Sequence, residues 1–400
     1  MRRSILETSP FLQDDCLIIE CDVTVIKAIR VEGITITSGF EVQVPPSDLS
    51  ENLGRFHDSK ELADVTFKVK GEIVRAHKAV LAIRSPVFKA QLYGPMRGKK
   101  RTSINVEDME PAVFKALLHF VYRDSLPAMD DLDRDENKEM IKHLLVAADR
   151  YGLERMKLLC ESTLCKRLDV DSSKLEGYLR GDCLVIECDV TVIKETQVAE
   201  TAATIVVQVP PPDLLDNLGK LLESEELADV RFKVKEEVVH AHRVMPAMRS
   251  PVFKAELYGP MRDRKRQHII VEDMEPAAFK ALLHFIYRDS LPDMDDLDRD
   301  ENQEMIKHLL VAADRYGIER MKLVCESILC KRLDVECVAD TLALADQYHC
   351  SKLKDACIGF INSSDRKDDV LTSQGYAHLK RTCPAVFIDI WEKAAKSCKI

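Results

Sequence analysis

A short basic segment is the first part of the sequence that could support chemistry. Gly98 to Thr102 (GKKRT) faintly resembles a phosphate-binding loop, in which backbone N–H groups and a lysine hold phosphate oxygens. Gly94 stands one residue too near for that loop, and Lys100 stands where it needs Ser or Thr. The equivalent second segment, 263–266, contains no glycine. We therefore exclude a phosphate site, and a solvated loop is favoured over a nuclear import signal.

Two histidines could act as general bases, but their surroundings argue against it. His77 and His242 each follow a predicted strand and open a helix, with no nucleophile nearby, so a structural hydrogen bond is favoured. The sequence contains no Gly-x-Ser-x-Gly, no His-Glu-x-x-His and no pair of catalytic carboxylates. We predict that the chain is not an enzyme and has no catalytic residues.

Thirteen cysteines could bind metal or form disulfides, but their spacing favours neither. No Cys-x-x-Cys occurs, and a zinc site needs tight Cys/His spacing. An odd cysteine count without a secretory signal indicates a reducing compartment. We interpret the cysteines as small buried hydrophobic residues and predict no metal and no cofactor. The closest pairs have four residues between them: Cys16/Cys21, Cys160/Cys165, Cys183/Cys188 and Cys325/Cys330.

The composition excludes several classes of function. A net charge of −10 is unfavourable for nucleic-acid binding, which depends on phosphate contacts. The longest uncharged stretch, Thr201 to Pro212, is too short for a membrane span, and no apolar segment follows the basic N-terminus. We expect a protein of the nucleus or cytoplasm that is neither secreted nor inserted in a membrane. Its 400 residues predict two or three domains.

The sequence contains a long internal repeat. Residues 127–168 return at 292–333 with five substitutions in 42 positions, at an offset of 165. Upstream, residues 15–27 return at 182–194 with one change, at an offset of 167. A period of this length indicates a duplicated domain and is too long for a solenoid unit. Residues 334–400 have no counterpart after the first copy.

Each copy has the pattern of a small sheet flanked by helices, so the predicted fold class is α+β. Strands are predicted from Leu17 to Val25, from Val65 to Val69 and from Ile73 to Ala76, the last two joined at Lys70-Gly71, and a third short strand covers Ile104 to Val106. Helices are predicted through Leu49, Leu53 and Phe56, from Lys78 to Phe88, from Pro111, around Met140 to Ala148, and around Met156 to Leu164. In copy two, Glu236 replaces Gly71 and is expected to strain the turn, while Pro246 replaces Leu81 early in a helix, where proline is tolerated.

These elements carry a family resemblance. The strings Leu62 to Val65 (LADV), Ala76 to Ala82 (AHKAVLA), Arg84 to Phe88 (RSPVF) and Phe120 to Tyr122 (FVY) resemble a BTB/POZ domain, and they return from Leu227 to Tyr287. The preceding segment DCLIIECDVTVIK resembles the end of a MATH domain. The order is similar to that of plant MATH-BTB proteins and the speckle-type POZ protein. It implies a MATH remnant at 5–44, a BTB domain at 46–168, a second remnant at 178–210, a second BTB domain at 211–333 and a helical BACK-like extension at 334–400.

Members of that family are substrate adaptors of cullin-3 ubiquitin ligases, whose BTB domains dimerise and bind cullin-3. An apolar helical stripe is what such a dimer surface requires, although intramolecular core is the alternative for the leucines. Tyr122 and Tyr287 could equally be core residues at a helix end, and for Met96 alone a structural role is the stronger interpretation. The resemblance implies cullin-facing positions at Met96, Tyr122, Met261, Asp263 and Tyr287. It implies dimerisation through Leu49, Leu53, Phe56 and Val80, and through Leu214, Leu218, Leu221 and Met245.

Two departures from the family pattern guide the prediction. The cullin motif ends in Glu, whereas copy one has Gly98 and copy two has Asp263, which keeps the charge. Because the extra helical region also follows copy two alone, we expect copy two to bind cullin-3. The MATH strands that form the substrate groove are absent before Ile5, so the remnants could pair, be partly disordered or expose an edge.

The leading hypothesis is a non-catalytic cullin-3 adaptor that pairs with itself or with other MATH-BTB proteins, and its two BTB domains could pair within one chain. The alternative is a competitor or scaffold that pairs with full-length MATH-BTB proteins and delivers no substrate. An erroneous or decaying gene copy is a third hypothesis that the residues leave open.

Overall fold

The computed structural model describes residues 12–13, 16–17, 42–94, 103–129, 133–168, 179–180, 183–184, 208–260, 268–294, 296–363 and 367–397. The described residues fall into two units, which divide between residues 39 and 40. In the first unit, β1 (Leu12–Gln13) pairs antiparallel with β2 (Cys16–Leu17). Most of the predicted strand from Leu17 to Val25 lies outside the described residues.

The first copy of the repeat, called lobe one here (residues 46–168), begins with helix α1 (Leu49–Ser59) and a three-stranded sheet. Strand β3 (Val65–Val69) pairs antiparallel with β4 (Glu72–Ala76) and parallel with β5 (Ser103–Val106), which gives the order β4-β3-β5. Alternate side chains of β3 are buried, as the period of a one-sided strand requires. The predicted hairpin and third strand are confirmed.

A serine divides the next helical segment, which the sequence predicted as one helix. The structure has α2 (Lys78–Arg84) and α3 (Pro86–Tyr93), so that prediction was wrong. Ser85 is extended, and its side chain accepts a hydrogen bond from the backbone N–H of Phe88 at 3.1 Å, which caps α3. The same hydroxyl donates to the carbonyl of Tyr151 at 2.6 Å. Lobe one ends with α4 (Pro111–Arg123), α5 (Arg134–Tyr151) and α6 (Glu154–Leu168).

The second copy of the repeat, lobe two (residues 211–333), repeats this arrangement after a short strand pair, β6 (Leu179–Arg180) and β7 (Cys183–Leu184). Its sheet has the order β10-β8-β9, with the same parallel and antiparallel pairings as lobe one. The elements are α7 (Leu214–Ser224), β8 (Val230–Val234), β9 (Glu237–Ala241), α8 (Val244–Arg249), α9 (Pro251–Tyr258), β10 (Ile269–Val271), α10 (Pro276–Arg288), α11 (Arg299–Tyr316) and α12 (Glu319–Lys331).

The hairpin turns of the two lobes differ in backbone conformation. In lobe one both Lys70 and Gly71 have positive φ, at 46° and 94°. In lobe two Lys235 has positive φ, at 53°, and Glu236 does not. Because Glu236 avoids the left-handed region that favours glycine, the predicted strain at this residue was wrong.

Five helices follow lobe two and are called the tail here: α13 (Val338–Gln347), α14 (Ser351–Ile361), α15 (Lys367–Thr372), α16 (Gln374–Thr382) and α17 (Val386–Ser397). Helix α14 packs against α12 of lobe two, and α13, α16 and α17 complete the bundle. Leu342, Leu353 and Cys357 are fully buried there. One continuous apolar core runs from lobe one through lobe two into the tail.

Candidate protein-docking surfaces

The two lobes of one chain meet through the helices that the sequence predicted as dimer helices. Helix α1 of lobe one packs against α8 of lobe two, and α7 packs against α2 in the reciprocal position. Each of α1 and α7 also packs against a helix of its own lobe, α4 or α10. The stripe therefore contributes to the core of each lobe and to the junction between them. All eight predicted residues are at most 7% exposed: Leu49, Leu53, Phe56, Val80, Leu214, Leu218, Leu221 and Met245.

A buried arginine of lobe one connects the two lobes. Arg84, whose side chain is 3% exposed, forms an ion pair with the buried Asp124 of its own lobe. It also donates to Asp213 of lobe two at 2.6 Å. The backbone N–H of Asp213 in turn donates to Asp124 at 3.1 Å. Burial would raise the pKa of Asp213, but the hydrogen bond and charge of Arg84 outweigh it, so the pKa is lowered. This carboxylate is therefore held ionised beside its partner.

The two arginine contacts recur with the lobes exchanged. Arg249 of lobe two forms an ion pair with Asp289 of its own lobe and donates to Asp48 of lobe one at 2.7 Å. The pKa of Asp48 is likewise lowered, because Arg249 outweighs the effect of burial. Removing one partner of a buried ion pair costs about 3–5 kcal/mol, since the remaining charge is left uncompensated. Both networks therefore fix the relative position of the lobes.

Each lobe also binds the short arm that precedes the first helix of the other, residues 45–48 before α1 and 210–213 before α7. Arg155 of α6 donates through Nε to the carbonyls of Pro210 and Pro211, both at 3.1 Å. Arg320 of α12 binds the carbonyls of Pro45 and Pro46 in the same way, at 3.1 and 3.2 Å. Arginine can only donate hydrogen bonds, so the carbonyl oxygens of the prolines are the acceptors in these contacts.

Exposed ion pairs complete the contact between the lobes. Lys89 pairs with Glu226 at 2.7 Å, and Lys254 pairs with Glu61 at 2.5 Å. Exposed pairs of this kind are worth about 0–1 kcal/mol each. These pairs add to the charge complementarity between the lobes but contribute little to the free energy of the contact.

Tyr122 and Tyr287 do not face a partner, and the expectation that they contact cullin is corrected. Both side chains are fully buried. The hydroxyl of Tyr122 accepts from the backbone N–H of His77 and contacts His77 Nδ1, both at 2.8 Å. Tyr287 makes the same contacts with His242 at 2.9 Å. These tyrosines are core residues, and their hydroxyls are bonded to protein and not to solvent.

The histidines of these clusters have structural hydrogen bonds, as predicted. Nε2 of His77 lies 2.7 Å from the carbonyl of Glu61, which accepts only, so Nε2 carries the proton and Nδ1 accepts from Tyr122. Burial lowers the pKa of His77 and of His242, which keeps both rings neutral. Burial raises the pKa of both tyrosines. Neither pair is arranged to transfer a proton to a bound molecule.

The other predicted cullin-facing residues, Met96, Met261 and Asp263, lie outside the described residues, so their role stays a prediction. The tail beside lobe two is described. Lys354 of α14 lies 2.6 Å from Asp346 and 2.6 Å from Asp389, which joins three tail helices. The tail is thus a folded extension of lobe two, packed on α12.

Burial suppresses the ionisation of several thiols in the described part of the chain. Burial raises the pKa of Cys330 to about 11 and of Cys350 to about 12, so both stay protonated. Among the described residues, no three His, Cys, Asp or Glu side chains are placed to hold a metal ion. Within the same ranges, no helix has both the length and the apolar character to span a bilayer.

The sequence interpretation missed the two arginine networks. The sequence did contain a sign of these networks, because their charged residues are kept in both copies of the repeat. Arg84, Asp124 and Asp48 each recur 165 residues later, as Arg249, Asp289 and Asp213. The repeat alone does not show that Arg84 reaches the aspartate of the opposite copy. That pairing depends on the packing of the lobes.

The chain matches two known domain families in three regions. Residues 53–168 and 218–333 each match the BTB/POZ domain, and together they cover more than half of the chain. Residues 337–391 match the BACK domain of BPM/SPOP proteins. The chain therefore belongs to the BTB/POZ family, with the mixed α+β fold and small sheets described above.

The relatives that the chain is similar to are plant proteins that combine BTB/POZ and MATH domains. It is 39% identical over 226 residues to BTB/POZ and MATH domain-containing protein 3 of Arabidopsis thaliana, covering 56% of this chain and 55% of that protein. It is 36% identical over 241 residues to protein 4 of the same series, covering 58% and 50%. It is 45% identical over 181 residues to protein 5, covering 43% of each. The chain spans about half the length of the relatives it matches.

Proposed function

We propose that this chain is a non-catalytic adaptor that docks cullin-3 through lobe two and the tail. The observation that carries the proposal is the packing of the BACK-type tail on α12 of lobe two. That contact extends the BTB surface by a second folded element, as the family resemblance implies for cullin docking. The BTB match occurs twice, whereas the BACK match occurs once and follows lobe two.

Met261 and Asp263 are the residues proposed to contact cullin-3, with Met96 as the weaker site of lobe one. A methionine is an adaptable apolar contact, and a central apolar contact often carries a large share of binding energy. Asp263 keeps an acidic group where lobe one has Gly98. Tyr287 supports this surface from the core, through its hydrogen bonds to His242.

The matched substitutions Met261→Ala and Met96→Ala test the docking site. We expect Met261→Ala to weaken binding of an N-terminal cullin-3 fragment about thirtyfold, as for an interface hot spot of about 2 kcal/mol. We expect Met96→Ala to change it less than about threefold. Biolayer interferometry with the purified chain measures both, with circular dichroism as the folding control. Equal losses contradict the choice of lobe two, and a parent chain that does not bind refutes the docking proposal.

A ubiquitination assay separates the adaptor from the competitor hypothesis. With cullin-3 and a ubiquitin-conjugating system, an adaptor increases ubiquitin transfer to a protein that it binds. A competitor lowers the transfer promoted by a full-length MATH-BTB relative and promotes none itself. The two hypotheses thus predict opposite changes in the same reaction.

A further inference from the structure

The contacts between the lobes occur in pairs with exchanged roles. Arg84 binds Asp213 as Arg249 binds Asp48, at 2.6 and 2.7 Å. The arginine contacts to the proline arms and the two lysine–glutamate pairs are exchanged in the same way. A surface that meets its own equivalent is an isologous interface, and such an interface is complete with two members. Here both members belong to one polypeptide.

We infer that this chain is self-paired and monovalent. Lobe one occupies the pairing surface of lobe two, so the chain pairs through it with neither a second copy nor a MATH-BTB relative. It docks one cullin-3 as a single molecule, and this half of the inference rests on the proposed function.

The contacts alone do not select pairing within the chain. If lobe one met lobe one of another chain, Arg84 would find Asp48 and Lys89 would find Glu61, which are the equivalents of their present partners. Charge is therefore equally satisfied in either arrangement. The covalent connection decides, because it gives the lobes an effective concentration of about millimolar. At micromolar protein, closure within the chain is favoured by about a thousandfold.

The number of docking centres follows from the tail. Helix α14 covers α12 of lobe two, and Leu329 on α12 is 1% exposed. The equivalent Leu164 on α6 of lobe one is partly exposed. In the part of the chain that the structure describes, a BTB lobe with its packed tail is thus present once, and the self-paired chain offers one complete centre.

A cleavable linker tests the closure. A protease site inserted between residues 172 and 173 gives two forms that differ only in one cut peptide bond. Mass photometry at nanomolar concentration should show the uncut form at the mass of one chain. A tagged full-length MATH-BTB relative should capture the cut form, whose lobes can exchange, at least tenfold more than the uncut form. An uncut chain at twice the mass, or equal capture of both forms, overturns the inference.

A titration of the uncut chain with the N-terminal cullin-3 fragment tests the valency. We expect one fragment per chain, and Met261→Ala should remove it. Two fragments per chain overturn the monovalent assignment. An absence of any cullin complex refutes the proposed function and the valency with it, whereas the mass and capture measurements decide the closure independently.

Discussion

Asp124 is the residue whose neutralisation most directly tests the junction between the lobes. Its carboxylate, 4% exposed, pairs with Arg84 and, at 3.0 Å, with Arg155. It also accepts from the backbone N–H of Asp213. Asp124 has φ 57°, a conformation that Asn tolerates. Asp124→Asn therefore removes the charge and leaves the shape and the backbone unchanged.

The expected loss follows from these contacts. A hydrogen bond to a charged group is worth about 1.5–3 kcal/mol and a neutral one about 0.5–1.5 kcal/mol, so each arginine contact loses about 1 kcal/mol or more. Arg84 keeps only the half-exposed Asp213 as a counter-charge. We expect the free energy of unfolding to fall by about 3 kcal/mol, at the lower end of the range for a broken buried ion pair.

Urea unfolding followed by circular dichroism measures this loss as a shift of the midpoint. Asp289→Asn is the matched variant in lobe two and should lose a similar amount. Asp58→Asn, which breaks the exposed pair with Arg123, should change the free energy by less than about 1 kcal/mol. If Asp124→Asn is no more destabilising than Asp58→Asn, the network does not hold the lobes together.

Three further predictions concern single buried groups. Burial lowers the pKa of His57 to about 4, so the unfolded chain binds the proton more readily and the folded chain loses stability as the pH falls from about 7 to 4. Lobe two has Leu at the equivalent position. We expect the free energy of unfolding of His57→Leu to exceed that of the parent chain by about 2 kcal/mol more at pH 5 than at pH 7, as measured by urea titration. A difference between variant and parent that does not change with pH contradicts this prediction. Tyr287→Phe leaves the N–H of His242 unpaired and should lower the unfolding free energy by about 1–3 kcal/mol, and an unchanged urea midpoint would show that the bond is unimportant. Burial raises the pKa of Cys357, so iodoacetamide at pH 8 should label it only after unfolding, and labelling of the native chain by peptide mass spectrometry refutes its burial.

Regular elements were readable from the sequence because local patterns determine them. The alternation of Val65, Phe67 and Val69 predicted a strand with one buried face, and the structure buries these three residues. Pro111 predicted the first residue of α4, where its missing N–H is harmless. The break at Ser85 was missed, because the apolar pattern continues through it although the following proline disfavours helix at that residue.

Contacts between distant residues were not readable in the same way. An arginine next to Ser85 is compatible with an exposed helix end, and only the packing of the lobes buries Arg84 against Asp213. Tyr122 was assigned to a surface by resemblance. Its place in the core depends on His77, 45 residues earlier in the chain. The position of the tail was visible in the sequence, because the extra helical region follows only copy two.

Because the two lobes are parts of one chain, the two sides of their junction do not need identical residues. In an assembly of identical subunits, one altered codon changes both sides of the interface at once. In this chain each side is encoded separately, and the two sides already differ. The position of Phe56 in lobe one is taken by Leu221 in lobe two, and that of Val80 by Met245. All four are nevertheless buried. A gene of this form can thus change one half of the contact while the other half stays as it is.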